Sequence, residues 1–188
     1  MNIAAPIKER RRLWKYIAAI SAFQEAEEGV SYIATQIGTG ASNDSLVNCL
    51  WTGVVSSYCR PFTHNNDVGP IDINLVPEGK KRKLHDALWS MRNKLCGHVD
   101  HEAKLDRGYP VLPVAVEMIN GELCSHCPGA RPDISIAPDI LTLITYMKGA
   151  CTKKWPQILK KISPTEDLPN GKLRINLSKE NDEVFLYD

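Results

Sequence analysis

Apolar residues recur along the first forty positions at the spacing of a helix. Leu13, Ile17, Ile20, Phe23, Val30, Ile33 and Ile37 predict one long amphipathic helix from about Ile7 to Ile37. Pro6 stands just ahead, where a missing N–H costs the helix nothing. Gly38, Gly40 and Ser42 then interrupt the pattern. A second helix begins near Asn43 or Asp44, either a good N-cap. Leu46, Val47, Leu50, Trp51, Val54, Val55 and Tyr58 form its apolar face, and Pro61 ends it at Arg60. From Thr63 to Pro77 the residues are loop formers, among them His64, Asn65, Asn66, Asp67, Gly69 and Pro70. A third helix starts between Glu78 and Lys80, with Leu84, Leu88, Met91 and Leu95 as its stripe.

Beyond His101 the period changes. Val111, Val114 and Val116 are β-branched, and Asn120-Gly121 is a turn signal, so a short hairpin is expected around Val114–Glu117 and Glu122–Cys124. A fourth helix follows from about Pro138, with Ile140, Leu141, Leu143, Ile144, Met147, Cys151 and Trp155 on its apolar face, until Pro156 kinks or ends it. After Ser163, Pro169-Asn170-Gly171 forms a turn. Leu173, Ile175 and Leu177 then alternate with polar residues, and Val184 to Tyr187 is a possible partner strand. The expected architecture is mainly α. It is a four-helix bundle with an inserted short β-hairpin and a small C-terminal β element. Residues 1–162 form the bundle domain, and residues 163–188 form a tail packed on it.

Composition narrows the setting. The chain has 188 residues, 43% of them hydrophobic, enough for a core, and a low aromatic share of 7% that leans away from an all-β sandwich. A net charge of +1 supplies no whole-molecule field, so any anionic partner must be held by local patches. No secretory leader opens the sequence and no apolar run reaches the roughly 18 residues of a membrane span. A cytoplasmic protein with reduced cysteines and no membrane partner is expected.

The chemistry of interest sits at the end of the third helix. On an ideal helix Arg92 falls about 60° to one side of the leucine stripe and His98 about 60° to the other. Gly97 ends the helix and frees His98 to turn back. Arginine presents a fixed fork of donors to phosphate. Histidine exchanges a proton near neutrality. With RNA the substrate carries its own nucleophile, the 2′-hydroxyl, so no metal or other cofactor is required. The same two residues also fit an ion-pairing arginine and a satisfied, half-buried imidazole, and spacing does not separate these readings.

The wider segments carry a resemblance. RNKLCGHVD, Arg92 to Asp100, resembles the signature of the HEPN superfamily, the "higher eukaryotes and prokaryotes nucleotide-binding" helical domains. That signature is an arginine, commonly followed by a polar residue, then a histidine after about four to six intervening residues. SSYCRPF, Ser56 to Phe62, resembles the Tyr-x-Arg-Pro-Phe element of the abortive-infection-like branch. The resemblance implies a dimeric helical bundle whose two motifs share a cleft. It also implies a metal-independent endoribonuclease of phage defence or a toxin–antitoxin system, with a cognate antitoxin protein as a possible partner. Other members bind RNA, nucleotide or protein without cutting. Carried over, His98 would be the acid and base, Arg92 would hold the scissile phosphate, and Asn93 would orient one of them. Asp100 would pair with the imidazole or with Lys94, unless it is simply a solvated turn residue. A toxin subset has a tyrosine two residues after the histidine, where this chain has Asp100, which weighs against the same silencing chemistry.

Other features are weaker. Arg60 either lines the same cleft or caps the second helix and pairs with a carboxylate. Tyr58 and Phe62 read as core. Basic clusters occur at Lys8 with Arg10, Arg11 and Arg12, at Lys80-Lys81-Arg82-Lys83, and at Lys153-Lys154 with Lys160-Lys161. The second shares a helix with Arg92 and would attract an RNA backbone, unless it is simply a solvated helix end. Cys124, His126 and Cys127 lack the fourth ligand and the second pair that structural zinc needs. Gly38-Thr39-Gly40 lacks the lysine of a phosphate loop.

Overall fold

The first amphipathic pattern becomes one continuous helix, α1 (Ile7–Gly38), in a computed structural model of the chain. The structure describes residues 2–4, 6–38, 44–64, 68–93, 115–119, 122–126, 134–162, 172–175 and 183–187. The Pro6 carbonyl accepts from the N–H groups of Glu9 (3.0 Å) and Arg10 (3.2 Å), so Pro6 opens the helix. Helix α2 (Asp44–Cys59) runs into a 3-10 turn at Arg60–Phe62. Helix α3 (Lys80–Met91) starts after Gly79, whose φ of 86° is a conformation that L side chains rarely adopt. Helices α4 (Ala137–Thr152) and α5 (Trp155–Ile162) complete the helices among the described residues. The described residues are mainly helical.

α1 is the central helix. It packs against α2, α4 and α5, while α3 touches both α2 and α4 and closes the ring. Small residues let this happen. Ala19, Ala22 and Ala26 are buried along α1, whereas Ile17, which fits the predicted stripe, is exposed at 36%. A Cβ added at Gly29 would stand 2.6 Å from Val54 Cγ2, so α1 and α2 approach through a position that admits only hydrogen. Phe23, Trp51, Tyr58, Ile140, Leu143, Ile144 and Met147 fill the space between the helices.

Two polar ties flank α1. Glu25 faces α2, accepting from Ser57 Oγ at 3.1 Å and pairing with Arg60 Nη1 at 3.0 Å. Glu27 faces α4, accepting from Thr145 Oγ1 at 2.7 Å and from Lys148 Nζ. Two residues of helix turn the side chain by about 200°, which is why near neighbours in sequence serve opposite interfaces.

The expected fourth helix divides differently from the sequence reading. α4 stops at Thr152, Lys153-Lys154 form a turn, and Trp155 opens α5. Pro156 sits in the first turn of α5, where its missing N–H has no intrahelical role, so it starts a helix instead of kinking one. The predicted loop after Thr63 includes a 3-10 turn at Ile73–Leu75, capped by Asp72, whose Oδ1 accepts the Asn74 N–H at 2.9 Å.

Outside the helices, β2 (Ala115–Ile119) and β3 (Glu122–His126) pair antiparallel along the backbone. β1 (Asn2–Ala4), β5 (Glu183–Tyr187) and β4 (Lys172–Ile175) pair in that order. The side chains of these strands lie outside the described residues. Beyond this backbone pairing, the inserted hairpin is not supported as a part of the fold. No helix among the described residues is long and apolar enough to cross a membrane.

Candidate functional site

The buried residues of α3 are His85, Leu88 and Met91, and Leu84 is only partly buried. On an ideal helix this places the buried face about 30° round from the predicted leucine stripe, towards Arg92. Arg92 is therefore nearer the core than the pattern indicated, and it is half-buried.

Arg92 and Asn93 continue α3 in a wider, π-type turn, a geometry that recurs at functional positions in helices. The Arg92 N–H is shared between the carbonyls of Leu88 and Trp89. Its Nη1 donates to Asn93 Oδ1 at 2.9 Å, so Asn93 orients the guanidinium directly. The guanidinium carbon lies 5.9 Å from the Trp89 ring centroid, within cation–π range. Trp89 in turn stacks on His85, with planes 15° apart and centroids at 6.4 Å.

His85 ties this shelf to the preceding helix. It is buried, and its Nδ1 lies 2.9 Å from the Tyr58 hydroxyl. Phe62 meets the same imidazole edge-on at 4.5 Å, and Phe23, Tyr58 and Phe62 pack as mutual neighbours. Burial pushes the His85 pKa below its usual value, so the ring is neutral at neutral pH. Burial also raises the Tyr58 phenol, with the nearby Cys59 and Asp86 adding to the rise, which keeps it protonated. The result is a neutral, hydrogen-bonded pair inside an aromatic cluster. Cys59 adds a contact from its thiol to the Leu88 carbonyl at 3.6 Å.

The remaining predicted site residues are placed as follows. Arg60 pairs with Glu25 and donates to Ser57 Oγ at 3.3 Å, so it stitches α2 to α1. Lys81 Nζ stands 5.2 Å from the Tyr146 ring centroid on α4. Arg82 donates to the Val76 carbonyl at 3.3 Å and to Glu78 at 3.4 Å. Lys80 and Lys83 are exposed. Lys80 lies about 18 Å up the helix axis from Arg92, at 1.5 Å per residue. His98, Asp100 and Lys94 lie outside the described residues. So does Cys127, as do the side chains of Cys124 and His126. Among the described residues, no group of three or more His, Cys, Asp or Glu side chains could hold a metal ion.

Sequence reasoning missed His85 and Trp89. A signal was present: His85, Trp89 and Arg92 lie at i, i+4 and i+7, which stacks them along one side of a helix. The leucine stripe drew attention to the neighbouring face. No family model, curated protein or solved structure matches the chain.

Proposed function

We propose that this chain is a HEPN-like, metal-independent endoribonuclease that works as a homodimer. One observation carries the reading. Arg92 and Asn93 are joined to each other and mounted on a shelf, Trp89 on His85 on Tyr58, that leads back to the Tyr58-Cys59-Arg60-Pro61-Phe62 segment. Arg92 and Asn93, the described start of one family-like segment, thus connect to the other through Trp89 and the buried His85.

In this reading Arg92 grips the scissile phosphate, and Asn93 fixes the angle of its fork. His98 takes the proton from the ribose 2′-hydroxyl as the 2′-oxygen attacks phosphorus. The phosphorus–O5′ bond breaks, and the leaving oxygen receives a proton from a second imidazole supplied by the partner copy. The products are a 2′,3′-cyclic phosphate and a 5′-hydroxyl. Asp100 orients the His98 ring. Lys80 and Lys83, exposed at the start of α3, and Lys94 guide the RNA backbone. Lys81 and Arg82 support the same end of the helix through Tyr146, Val76 and Glu78. Such an activity would act in the cytoplasm, in phage defence or under the restraint of an antitoxin protein.

The test is incubation of the protein with labelled RNA in excess chelator. Cleavage to cyclic-phosphate ends is expected, falling about 10²-fold or more in Arg92→Ala and in His98→Ala. RNA binding without cleavage in the unaltered protein would favour a non-catalytic binding module of the same fold. Absence of both would refute the proposal.

A further inference from the structure

Three members of the first basic cluster serve a different place from Arg92. Arg10 is fully buried in α1. Lys8, Arg11 and Arg12, with Lys15 one turn further on, line a cleft of about 490 Å³ between α1 and the segment leading to Asp72. The spacing explains the division. Positions 8, 11, 12 and 15 share one helix face, while Arg10 points away from it.

The cleft is asymmetric in chemistry. Among the described residues lining it, Lys8, Arg12 and Lys15 stand against one carboxylate, Asp72, and that carboxylate already accepts the Asn74 N–H. Among the described residues, the acidic contact of Arg12 is a distant one, Glu9 at 3.9 Å, and Glu9 is not among the residues lining the cleft. Ile7, Val68, Pro70 and Tyr16 supply an apolar wall beside the cations. Tyr16 is buried, and its phenol is held above its usual pKa chiefly by that burial, so it is a neutral donor. The volume falls within the roughly 300–1,000 Å³ typical of small-ligand sites. Cations along one helix face beside a concave, partly apolar wall suit a compact polyanion with an organic portion better than an extended strand.

We propose that this cleft binds a small polyphosphorylated molecule, with two or more phosphates on Lys8, Arg12 and Lys15. Its organic part, where present, packs on Tyr16, Val68 and Pro70. The proposal is independent of the Arg92 reading, since no residue is shared.

The experiment is calorimetric titration of the full chain with inorganic triphosphate, with ATP and with a short single-stranded RNA. Triphosphate and ATP should bind, and affinity should fall at least about ten-fold in Lys8→Glu/Arg12→Glu as charge-assisted contacts are lost. Lys153→Glu/Lys160→Glu makes the same charge change on exposed residues elsewhere and should leave binding intact. Tighter binding of ATP assigns the apolar wall to the organic part, and equal binding assigns the site to the phosphates alone. In the unaltered protein, triphosphate should also slow chemical acetylation of Lys8 and Lys15, a readout that needs no variant. Failure of both small anions to bind, binding of RNA alone, or equal weakening in the two charge-reversed variants would overturn the proposal. Arg92→Ala should bind triphosphate normally, whatever it does to RNA cleavage.

Discussion

Tyr58→Phe removes one oxygen and leaves the aromatic cluster otherwise intact. The Tyr58 hydroxyl lies 2.9 Å from His85 Nδ1, and both residues are buried at 0% and 3% exposure. Loss of the hydroxyl strands an imidazole nitrogen away from water, which costs about 1–3 kcal/mol. Apolar burial hardly changes, because the Phe23 and Phe62 contacts of the ring remain. His85→Leu alone strands the phenol instead. The double variant Tyr58→Phe/His85→Leu strands neither, so it should be more stable than the two single losses predict, by about 0.5–3 kcal/mol. A pH dependence accompanies this. The folded-state pKa of His85 is depressed below the usual 6.5, so between those two values the unfolded chain binds more protons. Stability is therefore greatest above about pH 6.5 and is lost as pH falls towards the folded pKa, at up to about 1.4 kcal/mol per pH unit. Urea unfolding followed by far-UV circular dichroism, at about pH 7.5 and about pH 5.5, measures both effects. Strict additivity of the two variants, or an unchanged pH slope in the double variant, would refute the reasoning.

Gly29→Ala should destabilise by about 1 kcal/mol, because overpacking against buried Val54 Cγ2 at 2.6 Å outweighs the helix propensity gained. The effect should shrink in a Val54→Ala background, as thermal melts of the four proteins in the cycle will show. Glu27→Gln should cost about 1 kcal/mol near neutral pH by weakening the tie to Lys148 and Thr145. The carboxyl is held below its usual 4.5 chiefly by the Lys148 hydrogen bond, so this stabilisation is present above that value and lost as pH falls through the lowered one. Unfolding titrations should therefore show the gap between Glu27→Gln and the unaltered protein closing in acid.

Much of the helical layout was legible in the chain. Large apolar residues repeating every three to four positions, closed by Gly38 and by Pro61, marked α1 and α2 to within a residue or two. That pattern is local, because helix periodicity and proline sterics act over one or two turns. The candidate arginine and its asparagine were legible for the same reason: they stand at the end of a readable helix.

Packing was not legible, because it depends on what the other helices offer. The alanines of α1 and Gly29 count as weak signals in a hydropathy pattern, yet they set the distance between α1 and its neighbours. The rotation of α3 was decided by Tyr58 and Phe62, which give a histidine a buried partner and draw His85 inward in place of Leu84. That rotation brings Arg92 onto Trp89. The split of one basic run into a buried Arg10 and a cleft-lining trio likewise needed the segment at Asp72 to supply the opposite wall. Sequence by itself determined which residues stand on which turn of each helix. Only the tertiary structure decided which face meets a partner, since burial is a property of two surfaces and a chain pattern describes one.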